Sequence, residues 1–386
     1  MANVLILGCG TQGLAIAKSL CVFDNNVFLL YNNEDKDNYA DASRYVSKKL
    51  MTIYTPLSDM FFTYLKYVIM TYNINALIPM GDIYAEMISL HKEELDGLVN
   101  FKMPSYDVFK RAYDKNQLMK VCQEYQYPHP FTITNIKSID DVSETEVSFP
   151  LLIKPNITCG ARGMTLVNNY QELLDKFPKI QAEYGDCHLQ KYIKQGGAQV
   201  EVQLYIDEKG KLINSSVISK YRWYPEKGGS SCCAISVNNK RIVDILYDLL
   251  KNIGWVGFAD FDTIEDPDTG ELLIMELNPR VPACIKTAIE SGINWGQVIV
   301  DDYMGEPQKM YEYKEGEILR HLGFETLWFL KSPNRWRMKP SYLAFLGKHI
   351  HYQDMSDWTD PMPFIKGTIR NIKKVIAHKE KEKIKR

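Results

Sequence analysis

Apolar positions in the first hundred residues come in short unbroken runs separated by glycine. Residues 3–7, NVLIL, read as a buried strand that ends in Gly8-Cys9-Gly10-Thr11-Gln12-Gly13; helix-forming LAIAKSL and a second apolar run, NVFLLY, follow. A further run at 75–81, NALIPMG, follows a helical stretch, so residues 1–103 are expected to form a doubly wound α/β domain. Pro104 and the Tyr127-Pro128-His129-Pro130 turn frame a predicted helix from Ser105 to Gln126, with Ser105 as its N-cap.

The period then changes from helical to alternating. FPLLIKP at 149–155 predicts a strand, and TCGARGM at 158–164 a glycine-bearing loop. QVEVQLYID at 199–207 and KLINSSVIS at 211–219 alternate as a hairpin around Glu208-Lys209-Gly210. GFADFDTIED and ELLIMELN make a second hairpin, turned by Pro267-Asp268-Thr269-Gly270. This is an α+β region with boundaries expected at 104–189 and 190–305. Past Asp302 no period is clear, and residues 306–386 are expected to be an extension.

Composition narrows the class. With 386 residues, 45% of them hydrophobic, the chain can bury the core of two or three domains. No apolar run approaches the roughly 18 residues that span a bilayer, and the opening breaks into glycine too early for a signal peptide, so the cytoplasm is the expected compartment. Eight cysteines without a C-x-x-C pair read as reduced thiols; the adjacent Cys232 and Cys233 suit either a redox switch or two small residues beside a glycine-rich turn. A net charge of -2 offers nucleic acid no basic face. The tail from Lys366 to Arg386 is different, with nine Lys or Arg against two Glu. Ile365, Ile369, Ile372 and Ile376 share one helical face there, which suits a terminal helix docked by that stripe or one lying on the inner face of an anionic membrane.

Two constellations carry chemistry. Gly8, Gly10 and Gly13 permit a tight strand-to-helix turn that binds an anion or serves packing alone. A nicotinamide site needs an acid near the end of the second strand, where this chain has Tyr31 and Asn32, with Glu34 and Asp35 a little late. The second constellation is more specific. Asp262 ends one strand; Glu276 and Asn278 share a face of its hairpin partner, so three oxygen groups converge as Mg²⁺ prefers. Arg280 follows as a fixed cation suited to oxyanions, although carboxylate and amide caps with an Arg280 ion pair would leave the same trace. Lys115 and Lys154 are candidate point charges for phosphates, and each taken alone also fits a solvated lysine. Lys154 precedes a loop, Gly160-Ala161-Arg162-Gly163, in which glycines let amides close over phosphate. No G-x-S-x-G or cysteine–histidine pairing argues for a covalent enzyme.

The order of lysine helix, strand-K-P, glycine loop, hinge, paired acidic hairpin and M-E-L-N-P-R resembles the ATP-grasp superfamily. It is most similar to a single half of the carbamoyl-phosphate synthetase large subunit and to D-aspartate ligase-like carboxylate-amine ligases, over roughly residues 1–305. The resemblance implies a pre-ATP-grasp α/β domain over 1–103, a small ATP-grasp subdomain over 104–189, a large one carrying the metal over 190–305, and a C-terminal extension. It implies Lys115 and Lys154 on the ATP phosphates, Gly160, Arg162 and Gly163 covering them, and Gln190, Lys191, Tyr192 and Ile193 as the hinge whose backbone reads adenine. It further implies Asp262, Glu276 and Asn278 as ligands of one or two Mg²⁺, with Mn²⁺ as an alternative. The chain departs from the family at Gln190, where the hinge usually has an acid, and Glu201 is the candidate for the ribose. Asp262 also stands where a glutamate is usual. Lys220-Tyr221-Arg222-Trp223-Tyr224-Pro225, followed by Gly228-Gly229-Ser230-Ser231, is similar to a loop that faces the acceptor in peptide-ligase-like members, while also fitting a solvated loop.

The expected activity is ATP-dependent ligation of a small-molecule carboxylate to an amine through an acyl phosphate, with Arg280, Lys154 and Arg222 catalytic and a homodimer consistent with the family. Two rivals stay open: a nicotinamide-dependent oxidoreductase and a non-catalytic ATP-binding protein docked at a membrane.

Overall fold

The apolar runs of the N-terminal region are strands buried on both faces, as unbroken rather than alternating patterns require. The computed structural model describes residues 1–32, 39–158, 160–225, 230–309, 311–355, 357–370 and 373. Strands β1 (Asn3–Leu7), β2 (Asn26–Asn32), β3 (Lys48–Thr52) and β4 (Ala76–Pro79) form a parallel sheet in the order β3-β2-β1-β4. The glycine turn lies between β1 and the helix Thr11–Cys21. Gly8 sits at φ +108, and a Cβ on Gly13 would come 3.1 Å from Gly8 O, so the glycines let the helix press onto the turn. Gln12 folds back across it and donates to Met80 O at 2.6 Å. At the end of β2, Asn32 is buried with its amide on Tyr54 O; Glu34 and Asp35 lie outside the described residues.

The Ser105–Gln126 helix is two helices, Tyr106–Tyr113 and Lys115–Tyr125. Asp114 breaks them apart by leaving helical dihedrals and capping the second, its carboxylate accepting from Gln117 N at 3.1 Å. Lys115 therefore opens a helix instead of sitting inside one. Ser105 holds the N-cap position of the first helix but makes no side-chain cap bond.

Strands β5 (Thr132–Ile133), β6 (Leu151–Pro155), β7 (Thr165–Val167) and β8 (Cys187–Lys191) form a small antiparallel sheet in the order β5-β8-β6-β7, backed by the helix Tyr170–Tyr184. The two predicted hairpins form one side of a seven-stranded sheet, with the second strand of the later hairpin at its edge. Its strands are β9 (Gln199–Ile206), β10 (Leu212–Tyr224), β11 (Ser230–Val237), β12 (Gly257–Glu265), β13 (Leu272–Asn278), β14 (Ile318–Arg320) and β15 (Ile350–Tyr352), in the order β13-β12-β9-β10-β11-β14-β15. Lys220–Tyr224, expected as a loop, is the end of β10, and Gly228 and Gly229 lie outside the described residues. Cys232 and Cys233 are buried in β11, and burial pushes the Cys233 thiol up to about 12, which keeps it protonated.

The region without a legible period completes the fold. Strands β14 and β15 extend the large sheet, and the helix Leu322–Lys331 packs on β10 and β11. Glu325 is fully buried between Arg222 and Arg320, whose Nη groups also reach the carbonyls of Pro340, Tyr342 and Ala344. Beyond β15 the chain returns to the first sheet. Asp357 accepts from Tyr45 and Asp360 from Ser43, both at 2.5 Å, and Arg370 forks onto Asp41. Within the tail, Gly367 is the face that docks, against Tyr39, whereas Ile365 and Ile369 are 42% and 49% exposed. Ile372 and Ile376 lie outside the described residues. Among those described, no helix is long and apolar enough to cross a membrane.

Breaking a buried ion triad strands its remaining charges, so Glu325→Leu is expected to destabilise the protein by roughly 3–5 kcal/mol in urea denaturation. A loss under about 1 kcal/mol would mean that both arginines find other partners or water.

Candidate functional site

Strands β9, β12 and β13 are neighbours, and their register sets three carboxylates in one row. Asp262 stands directly opposite Glu276 on one side and Glu201 on the other. One step along, Asp260 stands between Gln203 and Asn278, both of which donate to it, at 3.0 and 3.2 Å. The alternation of F-A-D-F-D puts both aspartates on one face, a signal that marked Asp260 as clearly as Asp262. A bulge after Asp262 shifts the register towards the turn.

Carboxylates this close repel unless compensated, and two lysines compensate them. Lys220 Nζ lies 2.5 Å from Asp262 and 2.9 Å from Glu201; Lys115 Nζ lies 3.1 Å from Glu276 and 2.7 Å from Thr158 O. Burial opposes the charge on Lys220, but Asp262 and Glu201 outweigh it and hold its pKa well above the usual lysine value. Burial also pushes against ionised Asp262, which Lys220 more than offsets, so Asp262 stays below the usual carboxylate range. Asp260 has no such partner, and burial together with Glu201 and Asp262 pushes it well above that range.

Lys154, on β6, differs from both. Its Nζ donates to Gln190 Oε1 at 2.9 Å, and Gln190 is anchored in turn by Thr132 Oγ1. Burial lowers its pKa to about 8, with Glu276 pulling it back up and Lys115 pushing it further down. The amide at position 190, where an acid was expected, thus gives Lys154 a neutral partner and leaves its charge to be satisfied by something else. The backbone N–H groups of Lys191 and Tyr192 are already bonded to Phe131 O and Pro150 O, and none of residues 190–193 lines the cavities described next.

Two cavities meet at the carboxylate row. One of about 300 Å³ holds Lys115, Lys154, Thr158 and Met164, and the other, of about 510 Å³, holds Lys220, Arg280, Gln12 and His321; Asp262, Glu276, Gly160 and Gln199 line both. Gly160, Ala161 and Gly163 all take positive φ, and a Cβ on Gly163 would sit 2.8 Å from both Pro155 and Tyr184, so the loop needs glycine there on two counts. Arg162 is exposed on this loop, and Cys159 lies outside the described residues. Arg280 enters the larger cavity from the end of β13, bonded to Asp82 at 2.9 Å and to Asn278 Oδ1 at 3.4 Å.

Two expected residues are taken up by other partners. Glu201 is not free for a ribose, being buried in the carboxylate row and bonded to Lys220. Arg222 does not face the acceptor side. The bulge around Tyr221 re-aims β10, so Lys220 and Trp223 line the cavity while Arg222 is turned into the Glu325 triad. Lys115, Lys154, Asp262, Glu276, Asn278 and Arg280 are brought together. Asp82, His321 and Gln353 join them from regions where no local pattern pointed to a site.

The donor set fits a hard cation. Two carboxylates face each other across paired strands, with an amide two residues from one of them. Asn278 now turns its nitrogen towards Asp260 and Asp262, at 3.2 Å each, so it serves as a donor here and would present oxygen to a cation only with the amide turned over.

A parallel sheet, a small antiparallel sheet and a large one meeting at a lysine-flanked carboxylate row define an ATP-grasp fold. Residues 114–293 match the carbamoyl-phosphate synthase L chain, ATP binding domain. The chain is 25% identical over 245 residues to D-aspartate ligase from Enterococcus faecium (strain Aus0004), spanning 58% of each protein. Biotin carboxylase from Campylobacter jejuni superposes with a TM-score of 0.67 at 16% identity, over 81% of this chain and 74% of that one. L-amino acid ligase from Bacillus licheniformis superposes at 0.59 with 14% identity, over 80% and 75%.

A buried lysine titrating near pH 8 makes stability depend on pH. The unfolded chain holds more protons between about 8 and the ordinary lysine value of 10.5, so stability rises with pH across that window. Relative to Lys154→Met, the wild type is expected to gain on the order of 3 kcal/mol between pH about 7 and about 10. A flat difference in urea denaturation would mean that Lys154 stays charged.

Proposed function

We propose that the chain is an ATP-dependent carboxylate-amine ligase. The observation that carries this reading is the shared wall: Asp262 and Glu276 stand between a lysine-lined cavity and a second one lined by Lys220 and Arg280. The first suits a triphosphate, with Lys115 and Lys154 on its oxygens, Gly160 to Gly163 over it, and Ile193 as the hinge amide left for adenine. The second suits a carboxylate substrate, held by Arg280 and Lys220 within reach of the phosphate end.

Asp262 and Glu276, with Asn278 turned over, would hold magnesium, which supplies neutralisation of phosphate oxygens when bound. The protein's own part is positioning and charge. Lys115 and Lys154 draw off negative charge as the γ-phosphoryl group passes to the substrate carboxylate, and Arg280 fixes that carboxylate in line. An amine then displaces phosphate from the acyl phosphate and forms the amide. A lysine left to a neutral amide partner, as Lys154 is, is suited to this work because its full charge goes to the ligand. Residues 1–103 would contribute to the substrate side through Gln12 and Asp82. The D-aspartate and L-amino acid ligase relatives make amino acids the first substrates to try.

Calorimetric titration of Mg-ATP into wild type and Lys154→Ala, with NADH as the parallel ligand, tests the reading. Magnesium-dependent ATP binding that the substitution weakens supports it, whereas NADH binding in place of ATP would overturn it. Glu276→Ala is expected to lower turnover at least about tenfold with the fold intact. Arg280→Ala should reduce kcat more than ATP affinity, and the reverse pattern would make Arg280 a nucleotide contact.

A further inference from the structure

Between Glu325 and Asp354 the chain carries five Lys or Arg and no acid. None of the five, Lys331, Arg335, Arg337, Lys339 and Lys348, is in an ion pair among the described residues. Solvated cations are ordinary on a surface, but the apolar side chains standing among these are not. Leu330, Trp336, Leu343 and Leu346 are 64%, 71%, 58% and 85% exposed. A row of rings joins them into one patch: Trp336 meets Phe329 at 5.0 Å, Phe329 meets Tyr342 at 4.3 Å, and Tyr342 meets Phe345 at 5.3 Å, centroid to centroid. Trp336 is a member of the row, and each leucine is next in sequence to one. Arg320, of the buried triad, lies against Tyr342 and Phe345 at 5.7 and 5.5 Å, and Arg335 donates to the carbonyls of Phe329 and Leu330. The base of the patch is therefore fixed while its leucine and tryptophan tips are exposed.

Charge and side-chain type choose the occupant. A second copy docked about a two-fold axis would set this patch against itself, cations facing cations with no acid between them. A nucleic acid strand would use the arginines and stack on Trp336, but the three protruding leucines gain nothing from phosphate or sugar. An anionic bilayer uses the whole set: lysine and arginine reach the headgroup phosphates, tryptophan sits at the interface, and leucine enters the acyl layer.

We propose that residues 330–348 are a docking face for an anionic lipid surface. The face uses neither the glycine turn nor the carboxylate row, and so stands apart from the ligase reading. It bears on the site through one element. The helix Leu322–Lys331 begins where Phe324 lines the larger cavity and ends in the patch, so about 15 Å of helix lies between the two. A docked protein would hold that cavity close to the headgroups.

In the test the full chain is sedimented with phosphatidylcholine vesicles, with and without phosphatidylglycerol. Wild type is expected to bind only the phosphatidylglycerol vesicles, and less as salt rises. Arg337→Glu with Lys339→Glu, and Leu343→Ser with Leu346→Ser, are each expected to lower that binding by about tenfold or more. Circular dichroism should not change, because these side chains are exposed. Phosphatidylglycerol brominated in its acyl chains should quench part of the tryptophan fluorescence, and Trp336→Phe is expected to remove that part. No binding to phosphatidylglycerol vesicles would overturn the proposal, as would binding that both pairs of substitutions leave unchanged, since the tail from Lys366 would then carry it. Quenching left whole by Trp336→Phe, a dimer that Leu346→Ser dissociates, or tighter binding of an oligonucleotide than of the vesicles would overturn it as well.

Discussion

Three carboxylates in one cross-strand row are an arrangement that repulsion would disperse, and the rest of the site is built around keeping Glu201, Asp262 and Glu276 together. The hydrogen-bond ladder of β9, β12 and β13 holds the backbones in register, which the side chains cannot escape. Compensation comes from outside those strands. Lys220 arrives from β10 and Lys115 from the start of a helix that Asp114 interrupts to create. Each lysine neutralises one side of the row, so the row becomes a wall with a cation-lined cavity on either face.

The second constraint is what Lys154 lacks. Lys220 and Lys115 meet carboxylates, but Lys154 meets the neutral amide of Gln190, and burial lowers its pKa against the pull of Glu276. The structure therefore holds two kinds of lysine: two that meet the acids of the row and one whose hydrogen bond goes to a neutral amide.

The larger cavity depends on distant parts of the chain. Gln12 and Asp82 come from the parallel sheet, Arg280 from the end of β13, and His321 and Gln353 from the C-terminal extension. The extension stays in place through the Arg222–Glu325–Arg320 triad on one side and through Asp357, Asp360 and Arg370 on the other. A buried triad gains little over an apolar core but tolerates few alternatives. Its geometry, more than its energy, sets His321 on the cavity wall.

Much of this was legible in the amino-acid order, wherever a local rule applied. Strand alternation put Asp262 and Glu276 at hairpin positions able to face each other, an apolar run aimed Lys154 at a strand end, and its glycines marked the 160–163 loop as able to close over an anion. These readings depend on spacing along a single element or on one tight turn, which the chain carries in its own sequence. The bulge that turns Arg222 away, the lysine that occupies Glu201 and the use of Leu319, His321, Phe324 and Gln353 as a cavity wall were decided only in the tertiary structure. Each depends on which strand or helix lies alongside. Burial and charge compensation between distant segments have no signature within either segment alone.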